Sequence, residues 1–145
     1  MNIDYFSSSD CCISDTRKSI VIKEKKCQIT FLNRHEKKIF QIRVDDCLIK
    51  EGIKCDYLVL VPENKRAFFI ELKGQDFLHA IRQINTSIDQ LIPQLYSTEI
   101  NARIVLTKVN TPNLMNNPLI LKFEKRIKKL NGCLIKGTIK LFEKI

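Results

Sequence analysis

Apolar runs typical of buried strands flank one long segment of helical periodicity. Residues 55–61 and 66–73 are apolar on both faces, which is typical of central strands that are covered on each side. Residues 76–96 place their apolar side chains at helical spacing, with Asp76 as the predicted N-cap residue. Residues 102–108 form the next apolar run. The pattern therefore predicts a right-handed β-α-β crossover with two parallel strands.

Both ends of the chain add further predicted elements. Residues 19–33 and 38–49 are rich in β-branched residues and predict an N-terminal antiparallel meander with a polar turn at 34–37. Residues 134–142 predict a final strand or hairpin. The fold class is thus α/β (α+β), with a mixed central β-sheet, the meander, the crossover and flanking helices. Because no linker or repeat interrupts the pattern, we expect a single domain over residues 1–145.

Length and cysteine content limit the kind of protein. A chain of 145 residues can bury a core that needs no disulfide or structural metal. The six cysteines form no CxxC pair, and we expect most of them to be free, buried side chains in a reducing compartment. No apolar run is long enough to span a bilayer, and the N-terminus has acidic residues where a signal peptide would be basic. We expect a cytoplasmic protein with no membrane contact.

Positive charge is concentrated near the C-terminus. The formal net charge is +9, and residues 112–145 contain eight basic and two acidic side chains, whereas residues 51–111 contain seven of each. Residues 119–130 predict an amphipathic helix that begins after Asn117-Pro118. Clustered Lys and Arg attract phosphates, so we expect this helix to bind nucleic acid; the alternative is an ordinary solvated helix face. The predicted nucleic-acid-binding residues are Lys122, Lys125, Arg126, Lys128 and Lys129.

A small polar cluster stands out against the apolar central strands. Asp56 begins one strand, and Glu71 and Lys73 end the next, on one face because they are two residues apart. Buried charges are costly unless they have partners, so such a cluster indicates a site rather than filler. Two carboxylates suit Mg²⁺ or Mn²⁺, and Lys73 could orient a water and offset negative charge at phosphorus. The alternative is a surface ion pair.

The spacing from Asp56 to Glu71-Leu72-Lys73, in a strand-turn-strand-helix-strand order, resembles the PD-(D/E)xK phosphodiesterase superfamily. These are the restriction-endonuclease-like nucleases that include Holliday junction resolvases, and the resemblance covers about residues 38–108. It implies an αβββαβ core and Mg²⁺-dependent cleavage of nucleic acid that leaves a 5′-phosphate. By this resemblance, Asp56 and Glu71 are metal ligands and Lys73 is the catalytic lysine. Some branches also have a catalytic-site glutamine on the following helix, where Gln83 stands.

Either Asp45 or Asp46 could be a third acidic metal ligand. The superfamily often supplies one from a helix before the first core strand, but residues 14–38 are predicted to be strands. A three-residue loop ending in a left-handed Gly52 would place Asp46 opposite Asp56, whereas a two-residue turn would place Asp45 on the Asp56 face. Both acids are therefore candidate metal ligands.

These observations favour a metal-dependent DNA endonuclease. A chain of this size has no room for a separate recognition module, so specificity would require a homodimer or a partner protein. One alternative is a catalytically inactive nucleic-acid-binding or scaffolding subunit on the same fold. Another is an RNA-directed nuclease, although no base-stacking platform is evident in the sequence.

Overall fold

Two β-sheets pack against each other, and helices cover the outer face of the larger sheet. The computed structural model describes residues 1–72, 74–108 and 116–145. The helices are α1 (Ile3–Ser7), α2 (Phe77–Leu91) and α3 (Pro118–Lys129). The strands are β1 (Cys12–Asp15), β2 (Ser19–Glu24), β3 (Cys27–Leu32), β4 (Ile39–Arg43), β5 (Tyr57–Val61), β6 (Arg66–Glu71), β7 (Glu99–Leu106), β8 (Leu134–Thr138) and β9 (Lys140–Lys144). The fold is therefore mixed α+β, as the sequence predicts.

The larger sheet is mixed and contains the predicted crossover. Its six strands lie in the order β1-β4-β5-β6-β7-β8. Neighbours from β1 to β6 are antiparallel, whereas β7 is parallel to both β6 and β8. Because α2 joins β6 to β7, the predicted β-α-β unit with parallel strands is confirmed. β5 and β6 are central strands and are apolar on both faces, as expected for strands covered on each side.

The prediction of an N-terminal antiparallel meander is wrong. The run 19–33 is two antiparallel strands, β2 and β3, because the polar pair Lys25-Lys26 makes a turn with Lys25 in the left-handed region (φ 50°). β4 then joins the other sheet, so no pairing crosses the predicted turn at 34–37. The C-terminal run behaves similarly: β8 pairs with β7, whereas β9 pairs in parallel with β3. The two C-terminal strands therefore form no hairpin.

Two apolar clusters hold the layers together. One lies between the larger sheet and the helices, and includes Leu58, Phe69, Ile84 and Phe123. The other lies between the two sheets, and includes Ile29, Phe68 and Ile70. Side chains alternate along a strand, so β5 and β6 contribute to both clusters. This three-layer arrangement determines which face each polar side chain of these strands occupies.

Both long helices begin at the predicted caps. The Asp76 side chain accepts a hydrogen bond from the His79 amide (3.0 Å), and the Asn117 side chain accepts one from the Leu119 amide (2.9 Å). α2 ends at Leu91, before a 3₁₀ turn that contains Pro93. Proline cannot donate the next helical hydrogen bond, so the helix is shorter than the predicted 76–96. In the described part of the chain, no helix is both long enough and apolar enough to cross a membrane.

A buried ion pair joins the C-terminal strand to the larger sheet. Arg103 on β7 is 1% exposed, and its Nε lies 2.6 Å from a carboxylate oxygen of Glu143 on β9. Arg103 also donates to the carbonyl oxygens of Ala102 and Cys133 (2.9 Å each), and its guanidinium lies over the Phe68 ring. Arg66 adds a second contact to Glu143 (3.4 Å). The ion pair thus connects β9, a strand of the smaller sheet, to β7 of the larger sheet.

The cysteines differ in part from the prediction. Cys27 and Cys55 are buried free thiols, as expected, but Cys11 and Cys47 form a disulfide with their Cα atoms 5.7 Å apart. Cys133 is exposed. The disulfide connects the N-terminal segment to the loop after β4, two elements whose proximity is a tertiary feature. Cysteine spacing alone does not reveal such a pairing.

Candidate functional site

Asp56 and Glu71 face each other at the end of the β5–β6 pair. Tyr57 pairs with Ile70 in this antiparallel ladder, so the next pair along is Asp56 and Glu71. The Asp56 amide donates to the Ile70 carbonyl oxygen (3.1 Å), which continues the ladder to this position. By alternation with Leu58 and Phe69, both side chains lie on the face that α2 covers. The predicted proximity of the two acids is confirmed.

Main-chain amides hold both carboxylates in place. The Asp56 amide donates to Oε2 of Glu71 (3.2 Å), and the Leu72 amide donates to Oδ2 of Asp56 (2.8 Å). Asp56 is 4% exposed and Glu71 is 1% exposed. Hydrogen bonds to an ionised carboxylate are about twice as strong as neutral ones, so these contacts orient the acids as well as stabilising them. The two carboxylates form a rigid, preorganised pair.

Neighbouring ionisable groups respond to this buried pair. Burial raises the pKa of the Cys55 thiol to about 12, and the negative charges of Glu71 and Asp56 contribute to the rise. Burial also raises the pKa of Cys27, again with a contribution from Asp56. Cys27 lies on β3 in the smaller sheet, so the electrostatic effect of Asp56 extends across the interface between the sheets.

Lys73, the predicted catalytic lysine, lies outside the described residues. The chain reaches it directly from Leu72, whose amide binds Asp56. On the other side, Gly74 adopts a left-handed conformation (φ 96°), and its carbonyl oxygen accepts hydrogen bonds from the Thr107 amide and hydroxyl (3.2 Å each). Leu72 and Gly74, the described neighbours of Lys73, are thus each engaged in hydrogen bonds.

Gln83 contacts the main chain that leads to Asp56. Its Nε2 donates to the carbonyl oxygen of Lys54 (3.1 Å). One turn later, Ser87 is fully buried; its hydroxyl accepts from the Cys55 amide (2.8 Å) and donates to the Gln83 carbonyl oxygen (3.0 Å). The helix therefore anchors the two residues that precede Asp56. The sequence places Ser87 four residues after Gln83, on the polar side of the helix, but Ser87 was not among the predicted site residues.

Asp45 and Asp46 lie in an irregular segment after β4 instead of in a tight hairpin. The β4–β5 register and the hydrogen bond from the Val44 amide to the Asp56 carbonyl oxygen (2.9 Å) place Val44 opposite Asp56. Both predicted hairpin registers are therefore wrong, although Gly52 is left-handed (φ 79°). The loop is longer because residues 44–49 form their own turn, closed by a hydrogen bond from the Ile49 amide to the Val44 carbonyl oxygen (3.0 Å).

Lys54 connects the segment that contains Asp45 and Asp46 to the approach to Asp56. Its amino group lies 3.3 Å from Oδ1 of Asp46 and 3.7 Å from Oδ1 of Asp45, and it donates to the Lys50 carbonyl oxygen (2.9 Å). The Lys54 side chain is only 11% exposed. Sequence reasoning overlooked this lysine, which forms ion pairs with both candidates for the third acid.

The donor set suits a hard cation in part. Asp56 and Glu71 offer two carboxylates at one position, and Mg²⁺ commonly uses one or two protein carboxylates together with waters and phosphate oxygens. Within residues 1–72, 74–108 and 116–145, however, no group of three His, Cys, Asp or Glu side chains is arranged to hold a metal ion. Mg²⁺ bound by these two carboxylates would take waters or phosphate oxygens as its other ligands.

Four of the five basic residues of α3 line a groove against α2, whereas Lys128 is not among its lining residues. The groove has a volume of about 530 Å³ and also includes Arg82 of α2; its cationic residues from α3 are Lys122, Lys125, Arg126 and Lys129. Arg126 bonds Asn85 (2.5 Å) and Asp89 (2.6 Å), which packs α3 on α2. Gln83 and Ser87 contact the segment before Asp56 instead. The helix α2, about 10 Å in diameter, thus separates the groove from the carboxylate pair.

Comparison of the chain with protein-family models, with curated proteins and with solved structures finds no match.

Proposed function

We propose that the protein is a metal-dependent nuclease that hydrolyses phosphodiester bonds in DNA. The observation that carries this proposal is the pair Asp56 and Glu71, two buried carboxylates that face each other at the end of adjacent central strands. Two carboxylates that meet at one position offer the hard oxygen ligands that Mg²⁺ prefers. A divalent cation bound there would take waters and phosphate oxygens as its other ligands.

The resemblance to PD-(D/E)xK nucleases supports this proposal. The order β4, β5, β6, α2, β7 matches the strand-strand-strand-helix-strand part of the core that the resemblance implies. In such a site, Asp56 and Glu71 would hold Mg²⁺ or Mn²⁺, which when bound activates a water and neutralises phosphate charge. Lys73 would orient that water and stabilise the negative charge that develops at phosphorus. The water oxygen would form a bond to phosphorus as the P–O3′ bond breaks; the water would lose a proton to solvent and the leaving 3′ oxygen would gain one, which gives a 5′-phosphate and a 3′-hydroxyl.

The cationic groove between α2 and α3 is the proposed surface for the rest of the substrate. Its lysines can neutralise backbone phosphates without reading base sequence. Because the groove and the carboxylates lie on opposite sides of α2, one bound duplex would have to cross this helix. A homodimer or a partner protein would supply sequence or structure selectivity and a second active site for the second strand.

A second candidate function is favoured by a specific contact. Lys54 forms ion pairs with Asp45 and Asp46, which places a cation where a third metal ligand was expected. This arrangement suits a nucleic-acid-binding subunit that has the fold without the catalysis. An RNA-directed nuclease would use the same residues, so RNA belongs among the substrates tested.

The test is a cleavage assay on plasmid, linear duplex, single-stranded and four-way-junction DNA and on RNA, with Mg²⁺, Mn²⁺ or EDTA. We expect Asp56→Asn and Glu71→Gln to reduce metal-dependent cleavage by about 10²-fold or more. Glu63→Gln is the matched control, because this exposed residue lies at the other end of the β5–β6 pair and undergoes the same charge change. Wild-type binding without cleavage of any substrate would establish the second candidate function instead.

A further inference from the structure

A second cleft lies at the ends of β6 and β7, on the side of the smaller sheet. Its volume is about 520 Å³. The turn between β2 and β3 forms one wall, and the segments that follow β6 and β7 form the other. The lining residues are Glu24, Lys25, Lys26, Cys27, Leu72, Gly74, Gln75 and Thr107. No residue of this cleft belongs to the basic helix α3.

Leu72 is shared between this cleft and the carboxylate pair. Its amide donates to Oδ2 of Asp56 (2.8 Å), and the same residue lines the cleft. The Leu72 side chain packs between the two sheets, whereas Asp56 and Glu71 lie on the face that α2 covers, so the cleft and the carboxylates lie on opposite faces of the larger sheet at the same end of β6. A polyanion bound at Asp56 and Glu71 would reach the β2–β3 turn by passing around this end of β6.

The β2–β3 turn is attached to the strand that contains Asp56. The Tyr57 hydroxyl donates to Oε1 of Glu24 (2.8 Å), and Tyr57 directly follows Asp56. Glu24 pairs with Cys27 at the end of the β2–β3 ladder. The hydrogen bond from Tyr57 to Glu24 therefore determines the position of Lys25 and Lys26, the two residues of the turn. The acidic group of the cleft is thus engaged with β5, while Lys25 and Lys26 are exposed at the turn.

We propose that Lys25 and Lys26 bind the phosphate backbone of the nucleic acid next to the bond that Asp56 and Glu71 act on. This inference rests on the proposed function, because it takes DNA as the ligand. The two lysines are exposed, line a cleft at the same end of β6 as the carboxylates and belong to a turn that is fixed by Tyr57 and Glu24. Lysine binds phosphate as a point charge, so the contacts would add affinity without sequence preference.

The test compares two pairs of lysines at opposite ends of β3. Lys25→Gln/Lys26→Gln changes the turn before the strand, and Lys37→Gln/Lys38→Gln changes the segment after it, about 20 Å away. Both variants lose two positive charges. Binding of labelled duplex and single-stranded DNA is measured by fluorescence anisotropy over a salt series, with EDTA present to prevent cleavage.

We expect the Lys25/Lys26 variant to reduce the slope of log affinity against log salt by about one per lysine, and to weaken binding about tenfold or more near 0.1 M salt. The Lys37/Lys38 variant should change the slope by less than about half as much. Equal effects of the two variants would overturn this inference and leave the proposed function standing. If the wild-type protein binds neither duplex nor single-stranded DNA, the proposed function fails, and this inference fails with it.

Discussion

The side-chain amide of Gln83 donates a hydrogen bond of 3.1 Å to the carbonyl oxygen of Lys54, two residues before Asp56. Together with the bond between Ser87 and the Cys55 amide, it anchors the entry to β5 on α2. The position of Asp56 therefore depends on a helix that is contiguous with it in space but distant in sequence. This makes α2 a positioning element for the candidate site as well as a cover for the core.

The two helix contacts should differ in their energetic importance. Gln83→Ala should lower the free energy of unfolding by about 0.5–1.5 kcal/mol, because it removes one partly exposed hydrogen bond. Ser87→Ala should cost about 1–3 kcal/mol, because the buried Cys55 amide then has no acceptor. Urea unfolding measures both values. Gln90→Ala, at an exposed position of the same helix, is the control and should be nearly neutral; equal losses in all three variants would contradict the anchoring role.

The central part of the fold was predictable because its signals are local. The runs that became β5 and β6 are apolar on both faces, and the short connection between them leaves little freedom in their register. For the same reason, Asp56 could be placed beside Glu71 from the sequence. Asp76 and the helical spacing after it likewise marked the beginning of α2.

The outer parts of the fold were less predictable because they depend on contacts between distant residues. β9 pairs with β3, more than 100 residues earlier, and nothing local in either strand specifies that partner. The segment 44–56 failed as a hairpin because tertiary contacts, including the Cys11–Cys47 disulfide and the Lys54 ion pairs, override the turn signal at Gly52. The polar pair Lys25-Lys26 was a local signal for the turn between β2 and β3.

Neutralising the basic face of α3 should weaken nucleic-acid binding without unfolding the protein. Replacing its four lysines by Gln should lower the salt dependence of DNA affinity by about one slope unit for each lysine that contacts a phosphate. Anisotropy titrations over a salt series measure this, with thermal unfolding as the check on stability. The substitutions are Lys122→Gln, Lys125→Gln, Lys128→Gln and Lys129→Gln.

Arg126 needs a separate variant, because it bonds Asn85 and Asp89 of α2. Arg126→Gln should lower the free energy of unfolding by less than about 1 kcal/mol, as is usual for a partly exposed ion pair.

The control for the α3 lysine variant replaces four exposed lysines outside α3. If the control variant lowers the slope of log affinity against log salt equally, α3 has no special role in binding. The residues changed in the control are Lys18, Lys38, Lys50 and Lys65.

The Arg103–Glu143 pair should be strongly coupled. Arg103→Met should cost about 3–5 kcal/mol, because it leaves the Glu143 carboxylate in the interface between the sheets with only the longer contact to Arg66. Adding Glu143→Leu should restore part of this loss, since the carboxylate that had lost its partner is then also removed. A double-mutant cycle by urea unfolding gives the coupling energy. Additive losses would contradict the coupling.

The pH dependence of stability should include a contribution from Tyr57. Burial and the hydrogen bond to Glu24 raise its pKa to about 12 from the ordinary 10.0. Between these values the unfolded chain releases the phenolic proton and the folded chain retains it, so stability falls as pH rises. The stability advantage of wild type over Tyr57→Phe should therefore be greater near about pH 9 than near about pH 11. Tyr5→Phe, at an exposed tyrosine, is the control; an advantage independent of pH would be contrary to this assignment.

Reduction of the Cys11–Cys47 disulfide should destabilise the protein by about 3–4 kcal/mol, because the bond closes a loop with a sequence separation of 36. The Cys11→Ser/Cys47→Ser variant should show the same lower stability with or without dithiothreitol, whereas wild type should fall to that value only when reduced. Unfolding in urea with and without the reductant measures this difference. Cys133→Ser, at an exposed free thiol, should behave as wild type. Because Cys47 lies in the segment that contains Asp45 and Asp46, reduction should also loosen the chain that leads to Asp56. If reduced wild type were as stable as the oxidised protein, this segment would be held without the disulfide.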